Sequence, residues 1–167
     1  DYRDVLKDHG IKAVVIASSN ETHPLIAIAA MESGKDVFCE KPIAPTLEEC
    51  RQVVKIARQT GRILHTHFEL RHSFIPHRIK EILKNGEIGN IRSLNMIHYR
   101  GPFRPEWKGN RKLSGGLTLM ETCHTIDLFR YLSNSDAREV FSFGAIKAIP
   151  YYDYADTEYL TMKMDNG

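Results

Sequence analysis

The fold is decided by residues 11–42, which read IKAVVIASSNETHPLIAIAAMESGKDVFCEKP. The apolar run at residues 11–17 is uninterrupted and rich in β-branched side chains. Such a run predicts a strand that is buried on both faces of a parallel sheet. A polar turn and an apolar helix at residues 24–33 follow, and Gly34 is placed to end that helix. A second strand is predicted at residues 36–39.

Strands and helices continue to alternate up to about residue 68. Thr46 and Glu49 form a T-x-x-E capping box, which predicts the start of a second helix, and Gly61 ends it. A third strand is predicted at residues 63–68. The order strand, helix, strand, helix, strand implies right-handed crossovers and a parallel sheet, so this part of the chain is assigned to the α/β class.

The pattern changes near residue 70, where we predict a boundary between two partial domains, at residues 1–70 and 71–167. The second part predicts helices and longer strands in an α+β arrangement. The predicted elements are a helix at 74–84, a strand at 91–99, a loop at 101–116, a helix at 117–132 and strands at 140–149 and 157–164. Asp165-Asn166-Gly167 predicts a hairpin turn after the last strand.

The composition argues against several classes of protein. The 23 basic and 21 acidic residues leave a net charge of +2 without a basic stripe, so we expect no nucleic acid partner. No apolar run approaches the roughly 18 residues of a membrane span, so we expect no membrane partner. The three cysteines, Cys39, Cys50 and Cys123, are far apart in sequence. This spacing favours reduced thiols and a cytoplasmic protein.

Small polar side chains follow the first predicted strand in the turn at residues 18–23, which reads SSNETH. Ligands of open parallel sheets bind at the carboxyl ends of the strands. Small polar groups and free helix amides at that edge can bind a phosphate or a ribose. The alternative is that Asn20 or Thr22 simply caps the next helix.

A second candidate, Glu40-Lys41-Pro42, follows the second predicted strand and therefore lies at the same edge. A Lys that is oriented by a carboxylate can donate a proton or polarise a substrate oxygen. Pro42 would fix the turn through a cis peptide bond. The alternative is an exposed ion pair between Glu40 and Lys41, which would contribute little to stability.

A third candidate lies on the predicted helix at 117–132, where Glu121, His124 and Asp127 are three residues apart. On an α-helix they share a face, so His124 can act as a general acid or base that Asp127 orients, or Asp127 can hold a substrate hydroxyl. Two alternatives are a solvated polar face and a metal site. His65 and His67 point to one face of the third strand and add a further metal alternative, a metal-dependent hydrolase.

Together these motifs resemble one known family. Residues 13–61, AVVIASSNETHPLIAIAAMESGKDVFCEKPIAPTLEECRQVVKIARQTG, resemble the second half of the cofactor domain in the glucose–fructose oxidoreductase / inositol dehydrogenase (Gfo/Idh/MocA) family. The specific feature is EKP about 20 residues after an A-x-x-N-x-x-H turn and before T-x-E-E. Residues 115–132, GGLTLMETCHTIDLFRYL, resemble the family's G-G…H-x-x-D helix.

The resemblance implies a two-domain oxidoreductase that transfers hydride between a sugar or polyol carbon and NAD or NADP. It implies a Rossmann dinucleotide-binding domain followed by an α+β domain whose open, mainly antiparallel sheet forms homo-oligomer contacts. It places Lys41 beside the nicotinamide and the reacting hydroxyl, and it matches His124 to the acid/base His. The cofactor-side positions that it implies are Ser18, Asn20, His23, Glu40, Lys41, Pro42 and Arg71.

Two features depart from the family pattern. No G-x-G-x-x-G motif occurs, so we expect the chain to hold the C-terminal half of the dinucleotide domain and part of the second domain. Many members carry an acidic residue four positions before the His, where this chain has Met120, with Glu121 one residue later. That offset is a rotation of about 100° on an α-helix. It motivates an alternative, a non-catalytic dinucleotide- or sugar-binding relative.

Overall fold

The computed structural model describes residues 1–166. The strands are β1 (Ala13–Ile16), β2 (Asp36–Glu40), β3 (Leu64–His67), β4 (Ala137–Ala145) and β5 (Thr157–Met164). The α-helices are α1 (Tyr2–Lys7), α2 (His23–Glu32), α3 (Leu47–Thr60), α4 (Phe74–Lys84), α5 (Arg111–Ser114) and α6 (Cys123–Ser133). Short 3₁₀ turns occupy Asn20–Thr22, Glu69–His72 and Trp107–Gly109, and a π-helical turn occupies Thr118–Thr122.

The three N-terminal strands form a parallel sheet in the order β1-β2-β3, which confirms the predicted α/β alternation. Val15 lies beside Phe38, and Phe38 lies beside His65. Since the strands are parallel, their carboxyl ends meet at one edge of the sheet. The polar segments that follow the three strands are therefore brought together.

Helices α2 and α3 cover one face of this sheet. The core between the layers is built from Ile16, Val37 and Cys39 of the sheet, Ala27, Ala30 and Met31 of α2, and Val53 of α3. Two fully buried alanines at the contact allow α2 to lie close to the strands. Burial of this apolar surface is the main driving force that fixes α2 on the sheet, and it also fixes the loop that begins the helix.

The C-terminal part contains the predicted antiparallel pairing, between β4 and β5. Together the two sheets confirm the predicted fold class, a parallel α/β unit followed by an α+β unit. Residues 1–166 include no helix that is both long and apolar enough to cross a membrane. The predicted turn at residues 165–167 ends at Gly167, which lies outside the described residues.

Three predictions for this part were wrong in detail. Residues 91–99 do not form a strand. Residues 91–95 instead face residues 160–164 of β5 across an open cleft. An alternating sequence pattern alone does not provide the hydrogen-bonded partner that a strand needs. The predicted loop at 101–116 contains α5 and the 3₁₀ turn at Trp107. The predicted helix at 117–132 is interrupted near its start by the π turn at Thr118–Thr122.

The capping box at the start of α3 provides a test of the fold. Thr46 Oγ1 accepts from the Glu49 amide at 3.3 Å, and Glu49 Oε2 accepts from the Thr46 amide at 3.2 Å. Thr46→Ala should lower the free energy of unfolding by about 1 kcal/mol, because a helix amide loses its acceptor. Thr46→Ser should retain most of the stability. Urea unfolding followed by circular dichroism would check this, and equal losses in both variants would contradict it.

Candidate active site

The turn after β1 is tied to the turn after β2 by a buried histidine. His23 Nδ1 lies 2.8 Å from the Pro42 carbonyl oxygen, and its Nε2 lies 3.1 Å from the Ser18 carbonyl oxygen. Ser18 Oγ also lies 2.6 Å from Thr22 Oγ1 within the first turn. The Lys41–Pro42 bond is cis, as the sequence predicted. His23 therefore sets the spacing between two of the predicted site segments through backbone contacts.

Two side chains in the turns after β1 and β2, Asn20 and Lys41, contact the C-terminal part of the chain. Buried Asn20 donates from Nδ2 to the Ser114 carbonyl at 2.8 Å, and the same nitrogen lies 3.2 Å from Met120 Sδ. Lys41 Nζ donates to the Met120 carbonyl at 2.5 Å. Met120 is thus held by both of the turns that follow β1 and β2.

The π turn changes the geometry that the sequence predicted for the helix. A π-helical turn contains more residues than an α-helical one, so the spacing of 100° per residue does not apply across it. The Met120 side chain is buried, and the Met120 carbonyl oxygen faces Lys41. The Glu121 carboxylate instead pairs with Arg100. Arg100 in turn lies over the Phe103 ring, 3.8 Å from its centroid. The Glu121 carboxylate is therefore engaged by Arg100, although its charge still acts on His124 and raises the pKa of that histidine.

His124 follows the π turn and is enclosed at the same edge. Its side chain is only 12% exposed, and its Nδ1 lies 3.6 Å from Glu69 Oε2, beyond hydrogen-bonding distance. No group among residues 1–166 forms a hydrogen bond with that nitrogen. Burial lowers the pKa of His124, and the charge of nearby Lys41 lowers it further, against the opposing effect of Glu69. At neutral pH His124 is therefore uncharged and able to accept a proton.

Asp127 and Arg71 form a bidentate pair beside this site. Arg71 Nε donates to Asp127 Oδ2 at 2.6 Å, and Arg71 Nη2 donates to Asp127 Oδ1 at 2.7 Å. The hydrogen bonds that Arg71 donates to the Asp127 carboxylate raise the pKa of Arg71. Both oxygens of the buried Asp127 are therefore directed at Arg71, and the pair fixes α6 to the segment that follows β3. Such planar two-point contacts are geometrically specific.

Two residues that the sequence did not single out for this site also lie at the edge. His67 Nδ1 lies 2.9 Å from Glu40 Oε1, on neighbouring strands at the same register. Burial alone would raise the pKa of Glu40, but the hydrogen bond and charge of His67, together with Lys41, outweigh it and lower that pKa. Glu69 is the second missed residue. The position of both at the carboxyl end of the third predicted strand was the signal that could have indicated them.

The residues considered as metal ligands are not assembled into a metal site in the described part of the chain. Residues 1–166 contain no group of three or more His, Cys, Asp or Glu side chains arranged to hold a metal ion. Glu121 pairs with Arg100, and Asp127 pairs with Arg71. His65 stacks on Phe38 with ring centroids 4.9 Å apart.

Comparison with known proteins places the chain in a family. Residues 1–68 match the family described as "Oxidoreductase family, NAD-binding Rossmann fold", and residues 77–167 match the "GFO/IDH/MocA C-terminal domain". The chain belongs to the GFO/IDH/MocA oxidoreductase family, as its sequence motifs indicated.

Similar proteins include dehydrogenases of sugars and polyols. The chain is 36% identical over 172 residues to the uncharacterized oxidoreductase YrbE of Bacillus subtilis, with 100% of this chain and 49% of that protein covered. It is 33% identical to inositol 2-dehydrogenase of Salmonella typhimurium, covering 100% of this chain and 48% of the relative. A solved levoglucosan dehydrogenase, in complex with NADH and levoglucosan, superposes with a TM-score of 0.83 at 26% identity, covering 100% of this chain and 48% of that structure. The chain thus spans about half the length of these relatives.

The electrostatic coupling at the site can be tested directly. Since the charge of Lys41 lowers the pKa of His124, Lys41→Met should raise that pKa toward the usual histidine value, while burial keeps it below. An NMR titration of the His124 ring signals would measure the change. Lys55→Met, on the exposed side of α3, is the matched control and should leave the pKa unchanged. An unchanged His124 pKa in Lys41→Met would contradict the coupling.

Proposed function

We propose that the protein is an NAD(P)-dependent oxidoreductase that transfers hydride between the nicotinamide cofactor and a CH–OH group of a sugar or polyol. One observation carries the proposal: a lysine and an uncharged, enclosed histidine lie together at the carboxyl edge of the parallel sheet. Membership of an oxidoreductase family and the similarity to inositol and levoglucosan dehydrogenases support it.

The residues present fit the nicotinamide end of such a cofactor. The His124 nitrogen, which has no hydrogen-bond partner among residues 1–166, and the Lys41 amine both lie where ligands of open parallel sheets bind. Bound NAD or NADP would supply the hydride chemistry, and the protein would position the reactants. We assign Ser18, Glu40, Lys41 and Pro42 to the rim of the site. Asn20, His23 and Arg71 direct their side-chain nitrogens at protein groups, so we propose that they shape the cofactor side of the site.

The proposed chemistry for oxidation divides the work between two side chains. The cationic Lys41 stabilises negative charge on the substrate oxygen as the hydroxyl loses its proton. His124, uncharged at neutral pH, accepts that proton in concert with Lys41. In reduction the same groups return the proton. Asp127 contributes by holding Arg71, which fixes the helix that carries His124.

A second candidate function remains because Met120 stands where many members have an acidic residue. A non-catalytic relative would bind a dinucleotide or a sugar without turnover. Met120 contributes its carbonyl oxygen to Lys41, and its side chain carries no proton to transfer. Turnover assays of the complete protein with inositols and anhydrosugars, in the presence of NAD or NADP, would distinguish the two functions.

Substitutions in the complete protein test the assignments. Lys41→Ala should lower turnover by about 10²-fold or more, the scale expected for one positioned acid/base group. His124→Ala should be nearly as damaging, and the double variant should lose little more, because the two groups act as a unit. Glu121→Gln should be mild, since its carboxylate faces Arg100. Steady-state kinetics would measure all four variants. A severe Glu121→Gln defect with a mild His124→Ala defect would contradict the assignment of His124 as the acid/base group.

We also propose that the protein is a homo-oligomer that associates through the sheet of the C-terminal part, and that it works in the cytoplasm. One face of the β4–β5 pair carries Phe141, Phe143 and Tyr159, which are 70%, 59% and 60% exposed. Exposed apolar patches of this kind mark association surfaces. The three cysteines are free thiols, which supports a reducing compartment.

The oligomer surface is open to a charge test. Phe141→Glu should reduce the molar mass in light scattering toward that of one subunit, because it would bury a charge in an apolar contact. Lys55→Glu on α3 is the control for a new surface carboxylate and should leave the mass unchanged. If Phe141→Glu has the mass of the wild type, this face is not the interface.

A further inference from the structure

A carboxylate on β5 contacts both ends of the π turn. Glu158 Oε1 and Oε2 accept from Thr118 Oγ1 at 2.9 and 3.0 Å, and Glu158 Oε2 also accepts from Thr122 Oγ1 at 3.3 Å. Thr118 and Thr122 are the first and last residues of the turn. The side chain of Glu158 thus bridges the whole length of this irregular segment.

The π turn carries the contact that fixes Lys41. Met120 lies at its centre, with its carbonyl oxygen on Lys41 Nζ at 2.5 Å and its sulfur 3.2 Å from Asn20 Nδ2. His124 lies two residues after the last residue of the turn. π-helical turns are uncommon and occur frequently at functional sites. An interaction that stabilises such a turn can therefore affect the site that the turn carries. A slip to α-helical hydrogen bonding would rotate Met120 relative to both partners.

The position of Glu158 is itself confined by the strand beside it. Glu158 lies opposite Gly144 in the β4–β5 ladder. A Cβ atom at Gly144 would lie 2.8 Å from the Ala155 Cβ and 3.5 Å from Glu158 Cγ. The glycine therefore leaves room for the chain to pass close to Glu158, whose carboxylate is directed toward the two threonines.

We propose that Glu158 is a positioning residue, which holds the π turn through Thr118 and Thr122 and thereby holds Lys41 in place beside His124. It acts on the site through the Met120 carbonyl and does not itself contact the reacting groups. The kinetic consequence of this proposal rests on the proposed oxidoreductase function, whereas the effect on the environment of Lys41 does not.

The first test requires no substrate. Thr118→Val removes the hydroxyl while keeping the side-chain volume, and Thr118→Ser keeps the hydroxyl. Labelling of the complete protein with an amine-reactive reagent, followed by mass spectrometry, gives the rate at Lys41 relative to the exposed Lys55. The Val variant should change that ratio by about fivefold, the scale of losing one hydrogen bond, because Lys41 is released from the Met120 carbonyl. The Ser variant should match the wild type.

The second test reads out the site itself. Thr118→Val should lower kcat with little change in KM. It should also move the acid limb of the pH–rate profile to higher pH, because displacement of Lys41 raises the pKa of His124. The charged groups that act on His124 are Lys41, Glu40, Glu69 and Glu121, and only the first lowers its pKa. Thr118→Ser should restore both properties. A role in stability alone would leave the acid limb in place.

One control and one graded variant separate the possible outcomes. Thr125→Val makes the same chemical change on α6 at a hydroxyl that faces Met96 rather than Glu158, and it should leave labelling and pH profile unchanged. Glu158→Gln should give a Lys41 labelling ratio and an acid limb between those of Thr118→Val and the wild type, since an amide retains one acceptor. Unchanged Lys41 labelling in Thr118→Val would overturn the proposal. A wild type that oxidises no sugar or polyol, with labelling that still responds, would overturn the proposed function and support the positioning role.

Discussion

The hydrogen bond from Lys41 Nζ to the Met120 carbonyl is the interaction on which the candidate site depends. Lys41 comes from the turn after β2, and Met120 comes from a segment 79 residues later in the chain. Their contact brings the parallel sheet against the helix that carries His124. The amine of Lys41 is fixed in this way by a backbone acceptor, so its position does not depend on a carboxylate side chain at residue 120.

Burial and the charge of Lys41 then set the protonation state of His124. His124 loses contact with solvent and lies within the field of Lys41, and both effects favour the uncharged imidazole. Glu69 opposes them only partly. In the proposed oxidation, a cation next to an uncharged acceptor would serve both needs of the reaction, because one group would stabilise the alkoxide while the other would receive the proton.

The supporting contacts are distributed over the molecule and are made both to backbone groups and between side chains. His23 joins the turns after β1 and β2, the Arg71–Asp127 pair joins α6 to the segment after β3, and Glu158 joins β5 to the π turn. Each links segments that are distant in sequence. Contacts that order a site before any ligand binds lower the ordering cost of binding.

The sequence by itself determined the α/β alternation, the capping box of α3 and the polar edge that follows the strands. These features follow from local rules, namely β-branched runs, helix caps and the parallel order of short strands. The motifs around Asn20, Lys41 and His124 also sufficed to indicate the family, because their spacing is specific.

Only the tertiary structure decided the rest. The π turn at Thr118–Thr122 and the pairing of Glu121 with Arg100 are examples, because no residue pattern reports a change from α to π hydrogen bonding. Residues 91–99 carry the alternation of a strand but lack a paired neighbour, since pairing depends on distant residues. The partners of Asp127, Glu40 and Glu158 likewise come from other segments of the chain. A hydrogen bond between side chains far apart in sequence is fixed by the fold, and for that reason the electrostatics of His124 could be read only from the folded structure.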